Sequence, residues 1–310
     1  MALVVNLTRR RAVEQVLGTV ARSIGYLQGG YKDTTIHSSV QLFNTVTQTG
    51  RIVYDSGYQR SYTPGVSGNL NGYFSINRSG AFNKFSYIQS SAAASFTLPV
   101  VYPSVTASDF NVYTLAWILC STSNTWAPAT GMTSWVKLTL ATDTPTNYGN
   151  LSASPQSTTR QGAATGKVGI FVHTDYVGLT VLNYANNSVT TNAGNSTLMG
   201  SGQQVSCGMC RDDNTAYFVG FAPYNCKISL SGTTITGFSQ ETSFTYNFGE
   251  SHSVTSATSG YMMAGYNDTT GRYGNTQHAL CQKITFANSS ITTLPDLVLA
   301  QSSGQMMQGF

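Results

Sequence analysis

Apolar and polar residues alternate along most of this chain in short runs broken by Gly, Ser, Asn and Thr. Alternation with period two is the mark of half-buried β-strands. One run keeps returning, a small residue followed by an aromatic or apolar pair. It occurs at Tyr26 (GYLQGGY), Tyr73 (GYFSINR), Tyr113 (VYTLAWIL), Ile170 (VGIFVHT), Tyr217 (AYFVGFA), Tyr261 (GYMMAGY) and Gln305 (GQMMQGF). Successive copies stand 40 to 57 residues apart, the period of sheet-per-repeat architectures. A second signature follows each copy except the last: alternating apolar residues, a tight polar turn and another short strand, which together predict a β-hairpin. The clearest hairpins are Lys283–Ile291, Lys227–Ile235 and Val181–Val189, with fainter forms opening at Lys137–Leu140, Lys84–Tyr87 and Val40–Phe43.

The two ends of the chain hold complementary fragments. Gln305–Phe310 is a strand with no hairpin after it, and Leu3–Val16 reads as a hairpin with no strand before it. A small sheet cannot bury both faces alone, so repeats must stack, and radial closure removes long exposed edges. The expectation is an all-β, seven-bladed β-propeller. It forms one domain spanning 1–310, and its closing blade is made of 305–310 plus 1–25, with Gln305–Phe310 lying beside Leu3–Leu7.

Composition modifies this picture little. Hydrophobic residues make up 41% and suffice for a core, whereas charged residues make up only 9%, far under the usual quarter. The surface must therefore be built from Ser, Thr, Asn, Gln, Gly and Tyr, which suits a protein held in a permanent assembly or exposed outside cells. Net charge is +4, too small and too scattered for a nucleic-acid footprint. Arg9, Arg10 and Arg11 fall in the first hairpin turn and read as a solvated turn or a subunit contact. They follow the short apolar run instead of preceding it, which is not the order of a secretory signal. No stretch approaches the roughly 18 apolar residues of a membrane-spanning helix.

Little points to chemistry. Five cysteines include one CxxC pair, Cys207 and Cys210, and no second pair to complete a zinc site. Cys226 and Cys281 fall at nearly equivalent places in adjacent repeats. The histidines His37, His173, His252 and His278 have no metal-ligand spacing, and no serine sits in GxSxG. Asp212-Asp213-Asn214 reads as a turn before it reads as a cation site. The expectations are no catalytic residues, no metal and no cofactor.

Recognition is expected on loops. When consecutive strands of a four-stranded sheet alternate direction, connections between strands two and three, and between sheets, emerge at one end. The tight hairpin turns, such as Asn288–Ser290 and Ser231–Thr233, emerge at the other. The long connections are read as 58–69, 121–134, 142–166 and 267–278. Variable loops on a rigid scaffold commonly carry binding residues, and Trp126, Arg272, Tyr273 and His278 are the expected binding residues. Trp126 and Trp135 serve equally well as covers for the sheet.

The repeat resembles the kelch-type propeller in its glycine-rich strand (GYLQGGY, GYMMAGY), its VQLFN or QKITF strand, its polar turn and its short last strand. It departs from that family in keeping a Gly-Gly doublet only at Gly29-Gly30 and in lacking the last-strand tryptophan. GYMMAGYN followed by QKITFANSSITTLP is similar to propeller repeats of bacteriophage tail and tail-fibre proteins. That resemblance implies a non-enzymatic structural part of a tail hub, tip or fibre, assembled in the host cytoplasm into the virion. Its implied partners are other tail subunits in a symmetric assembly, and a host-surface glycan or protein. A bacterial carbohydrate-binding propeller is the alternative.

Overall fold

The computed structural model describes residues 24–32, 35–59, 65–68, 70–76, 80–89, 91–100, 103–108, 114–121, 132–149, 151, 159–173, 178–193, 205–220, 226–240, 252–265, 279–298 and 305–309. Among these residues every regular element is a strand. The chain opens with β1 (Ile24–Gln28), a small ribbon of β2 (Tyr31–Lys32) and β3 (Thr35–Ile36), then β4 (Ser39–Asn44) and β5 (Thr49–Asp55). Four-strand groups follow: β6 (Gly65–Val66), β7 (Asn71–Ser75), β8 (Ala81–Ser86) and β9 (Ser91–Thr97); then β10 (Pro103–Ser108), β11 (Leu115–Ser121), β12 (Met132–Thr139) and β13 (Thr144–Gly149). Next come β14 (Thr159–Ala164), β15 (Val168–His173), β16 (Gly178–Asn183) and β17 (Val189–Ala193), then β18 (Val205–Asp212), β19 (Thr215–Gly220), β20 (Cys226–Ser231) and β21 (Thr234–Gln240). The last group is β22 (His252–Thr255), β23 (Ser259–Met263), β24 (Cys281–Thr285) and β25 (Ser290–Leu294), after which β26 (Gln305–Gly309) stands alone.

These strands form six antiparallel four-stranded sheets among the described residues. Sheets two to six are the five consecutive groups from β6 to β25. Sheet one has the order β26-β1-β4-β5, so its first strand comes from the far end of the chain. Gln305 stands opposite Gln28 and Gly309 opposite Ile24.

The register explains why seven sheets were expected. Tyr26, Tyr73, Ile170, Tyr217 and Tyr261 all lie in second strands, opposite Leu42, Lys84, Val181, Lys227 and Lys283. In sheet three the equivalent residue is Trp117, opposite Lys137, rather than Tyr113. Gln305 is no seventh repeat: its Met306-Met307 pair imitates that of β23, but the strand is the first of sheet one. Its partner is β1, whereas Leu3–Leu7 lies outside the described residues. The expected long connection 142–166 also conceals two strands, β13 and β14.

The core sits between sheets. Six apolar clusters are each shared by two of them. Tyr73 and Phe82 of sheet two meet Ile118 and Val136 of sheet three; Trp117 and Trp135 of sheet three meet Phe171 and Leu182 of sheet four. Ile170 and Val181 meet Phe218 and Ile228 between sheets four and five, and Tyr217 meets Met262 and Phe286 between five and six. Sheet one packs on both sides, with Leu27 and Phe43 against Val254 and Tyr261 of sheet six, and with Tyr26 and Leu42 against Phe74 and Phe85 of sheet two. Trp135 is fully buried and meets Phe171 edge-on at 5.1 Å, so this tryptophan is interior rather than part of a surface.

In sheets one, three, four and six the turn between third and fourth strands repeats one design, whereas sheet five turns in two residues between Ser231 and Thr234. Gln48, Asp143, Asn187 and Ser289 all have φ of 54–57° at equivalent positions. Side chains such as Asn44 and Asn183 accept backbone N–H bonds inside the turn, Asn44 Oδ1 from Val46 at 2.8 Å and Asn183 Oδ1 from Ala185 at 2.9 Å. Local bonding of this kind makes a left-handed residue tolerable without glycine.

The repeated tyrosine latches one sheet to the next. Tyr26 Oη donates to the Tyr87 carbonyl at 3.1 Å and Tyr261 Oη to the Thr45 carbonyl at 3.1 Å, while Tyr73 Oη shares its one proton between the Leu140 carbonyl at 3.3 Å and Asp143 Oδ1 at 2.6 Å. Each carbonyl acceptor is the same residue of the neighbouring sheet's turn. Tyr261→Phe removes the hydroxyl that bonds the Thr45 carbonyl and also meets Ser256, Ser259 and Gln48, so it should cost at least about 1 kcal/mol. Urea unfolding would check this; an unchanged midpoint would mean the latch contributes nothing.

Candidate functional site

The four residues expected to bind, Trp126, Arg272, Tyr273 and His278, lie outside the described residues. They belong to the β11–β12 and β23–β24 connections, the ends at which long connections emerge. What can be built from described residues is the same end of sheet one.

There β1 ends in Gly29-Gly30, with φ of 69° and 99°, and this corner turns the chain into the β2–β3 ribbon. Gly29 N–H donates to the Ser39 carbonyl at 3.1 Å and His37 N–H to the Gly30 carbonyl at 2.9 Å, which pins the ribbon's return. Gln28 is fully buried; its Nε2 donates to Ser56 Oγ at 3.1 Å and to the Tyr58 carbonyl at 3.0 Å. Ser56 Oγ in turn donates to the Ser38 carbonyl at 2.7 Å and accepts from Tyr58 N–H at 3.2 Å. A satisfied buried polar network fixes one geometry. This one holds the segments after β1, β3 and β5 together and leaves the Tyr58 side chain 38% exposed.

Asp55 borders the network in full contact with solvent. The Ser38 hydroxyl and then the Gly57 N–H, at 2.9 Å, lower its pKa below the usual value by bonding the carboxylate. The Nε2 of His37 and the Oγ of Ser39 are buried and have no partner among the described residues. Serine, histidine and aspartate thus occur close together in the chain, but Ser38 bonds Asp55 directly. No described bond sets His37 between them, as a nucleophile–base relay requires. The arrangement suits hydrogen bonding of a neutral polar ligand beside an aromatic ring. Of it, the sequence drew attention only to the Gly29-Gly30 doublet, to His37 as one of four histidines and to the connection from Tyr58. Gln28, Ser38 and Ser56 carry no motif.

The other titratable groups are structural. Cys120, Cys226 and Cys281 are buried free thiols, so Cys226 and Cys281 are not bonded to one another. Burial pushes Cys120 and Cys281 up to about 12, far from the depressed values of reactive thiols. In the Asp212-Asp213-Asn214 turn, Asp212 Oδ1 accepts from Asn214 N–H at 2.8 Å. Asp213 Oδ1 accepts from Gly166 N–H at 3.0 Å, a link to sheet four. Among the described residues no group of three His, Cys, Asp or Glu is placed to hold a metal ion. Lys84 bonds Asp143 at 2.7 Å, and Asp143 accepts from Tyr73 Oη at 2.6 Å, which ties sheet two to sheet three. Burial first, and the Asp143 bond second, raise the Tyr73 pKa far above its ordinary range.

His252 opens β22 in a buried position, where desolvation lowers its pKa from 6.5 to about 3. Below pH 6.5 the unfolded chain takes up a proton there that the folded chain refuses. Stability therefore falls as pH drops from 6.5 towards 3, at up to about 1.4 kcal/mol per pH unit. Asp55, with its lowered pKa, acts in the same direction at the acid end. Urea midpoints at pH 7, 5.5 and 4.5 should decline, and His252→Gln should flatten the decline between 6.5 and 4.5. An equally steep decline in that variant would exclude His252 as the cause.

No family model matches the sequence, and no curated protein matches it. Among solved structures the chain is similar to dihydro-heme d1 dehydrogenase NirN in complex with DHE, at 11% identity and a TM-score of 0.46. The alignment covers 89% of this chain and 54% of that one, so the chain spans about half the length of its neighbour. The comparison corrects one expectation. The neighbour is by name a dehydrogenase, so the expectation that this chain is not an enzyme is not kept. Likeness at this level assigns neither a reaction nor a cofactor to this chain.

Proposed function

We propose that the six sheets close into a six-bladed, kelch-like propeller and that the ring serves as an assembly and recognition component of a bacteriophage tail. The observation that carries the ring is that sheet one takes its first strand from residues 305–309 and shares apolar clusters with both sheet two and sheet six. The first strands touch in the same order, β6, β10, β14, β18 and β22, with β26 touching both β22 and β6. A rigid ring of this kind suits presentation of loops at one end and attachment at the other. The tail reading rests on the resemblance of the GYMMAGYN and QKITFANSSITTLP repeats together with a sequence of which only 9% is charged.

Purified particles should contain the chain in fixed stoichiometry with other tail subunits; particles that lack it would sink this reading. A carbohydrate-binding role for the long-connection end is the second reading, favoured by exposed Tyr58 beside the Gln28–Ser56 network. A glycan array whose signals survive both Tyr58→Ala and Trp126→Ala would remove it.

A further inference from the structure

The contact of Lys84 and Tyr73 with Asp143, between sheets two and three, has a counterpart between sheets three and four that is built from different side chains. At the first interface Lys84 Nζ stands 2.7 Å from one carboxylate oxygen of Asp143, and Tyr73 Oη donates to the other at 2.6 Å. One sheet further on, the register puts Trp117 opposite Lys137 as it puts Tyr73 opposite Lys84. Asn187, with φ of 57°, holds the turn position that Asp143 holds with φ of 55°. The lysine is the same, but an amide stands in place of the carboxylate and an indole in place of the phenol.

The substitutions leave polar groups without partners among the described residues. Trp117 is fully buried, and its Nε1, which can only donate, has no acceptor; the buried Oδ1 of Asn187 has no donor. Lys137 Nζ lies 5.8 Å from the centroid of the Trp117 ring, and no described carboxylate bonds it. Leaving a buried donor or acceptor unpaired costs stability, so these groups stand ready for a bond from outside the chain. The β16–β17 hairpin that carries Asn187 packs on Trp117 through Leu182, Tyr184 and Val189. Lys137 and Asn187 are half-buried. Tyr148 is 38% exposed with its ring centroid 5.0 Å from that of Trp117, which sets an aromatic surface open to solvent next to them.

We infer that the interface between sheets three and four, on the side of their third and fourth strands, binds the carboxylate of an acidic sugar. One carboxylate oxygen bonds the Lys137 ammonium and the other the Trp117 indole N–H, the roles that Lys84 and Tyr73 play towards Asp143. Asn187 Oδ1 accepts from a ring hydroxyl, and Tyr148 lies beside the sugar ring. One ammonium with otherwise neutral partners matches a single carboxylate better than a phosphate or a polyanion. An acidic peptide side chain would bring the carboxylate but not the hydroxyl that Asn187 takes. The inference does not depend on the tail reading and holds for this chain outside any particle.

The test follows the tryptophan indole N–H resonances of the full chain during titration with D-glucuronate. D-glucose, acetate and a glutamate-containing dipeptide are separate arms, and Trp117→Phe identifies the signal. Glucuronate should shift the Trp117 resonance saturably, glucose should not, and acetate and the dipeptide should need several-fold higher concentrations. Lys137→Met keeps the alkyl stem and should weaken glucuronate binding, measured by calorimetry, about ten-fold or more, because a hydrogen bond to a charged group is lost. Asn187→Asp places the chain's own carboxylate where sheet three has Asp143. It should abolish glucuronate binding with the urea midpoint unchanged or raised, which separates loss of the site from loss of the fold. A Trp117 signal that glucuronate leaves in place, or binding that survives both variants, would overturn the inference. An equal response to glucose would show that the carboxylate is not recognised, and an equal response to acetate or the dipeptide that the sugar is not; either result would overturn it too.

Discussion

A chain ending at residue 304 loses its cooperative unfolding transition. The five residues of β26 are the whole first strand of sheet one, paired with β1 from Gln28–Gln305 to Ile24–Gly309. Without them β1 becomes an edge, although Tyr26 is fully buried and Leu27 only 2% exposed. The deletion also removes the element that touches both β22 and β6. Each lost backbone bond between buried groups is worth about 1 kcal/mol, and leaving its partner unsatisfied costs about as much again. Set against a typical net stability of about 5–15 kcal/mol, this loss takes most of the total. Truncation at 304 should give a broad, probe-dependent transition in urea. A synthetic 301–310 peptide added in excess should sharpen it again, because a ligand of the folded state stabilises by mass action. A truncated chain that unfolds sharply at the full-length midpoint would show β26 to be an ornament, and the proposed ring would lose its closure.

How far the fold was legible follows from what each repeated residue does. Tyr26, Tyr73 and Tyr261 stood out because each must span from its own second strand to a fixed carbonyl on the next sheet, and only tyrosine brings both the ring and the hydroxyl. The third strands, such as Lys283–Thr285, stood out because one face is buried and the other wet, which writes alternation into the sequence. The fourth strands did not. β13 reads Thr-Pro-Thr-Asn-Tyr-Gly and is mostly exposed, so it has no apolar period and passed for loop. Nor did strand order: Met306-Met307 repeats the apolar pair of Met262-Met263, and two strands with the same local pattern can occupy different places in a sheet. That is how Gln305 came to be read as a seventh repeat, where the described residues form six four-stranded sheets. The network at the end of sheet one was invisible for a different reason. Gln28, Ser38 and Ser56 meet only through tertiary placement, and the bonds among them go mainly to backbone carbonyls, which leave no trace in residue type.

Gly25→Leu prevents folding, and Gly25→Ala already shows why. Gly25 precedes the latch residue Tyr26, and every repeat has a small residue there: Gly72, Ala116, Gly169, Ala216 and Gly260. A Cβ built on Gly25 would stand 2.1 Å from Cγ2 of Val254 and 3.2 Å from its Cβ and Cγ1. Val254 belongs to β22, is fully buried, and forms part of the cluster that joins sheet six to sheet one. In an open strand, replacing glycine by alanine should gain about 0.5–1 kcal/mol through the unfolded chain's lost freedom. At Gly25 the sign reverses, because a β-branched neighbour has few rotamers to retreat into and overpacking typically costs about 1–3 kcal/mol. The cause can be isolated with Val254→Ala, which opens the space that the new methyl needs. The double variant Gly25→Ala with Val254→Ala should then be more stable than the sum of the single losses predicts, a coupling expected only of residues in contact. If the losses simply add, the close approach of β1 to β22 is not what holds this position to glycine. The small residue before each latch would then need another explanation.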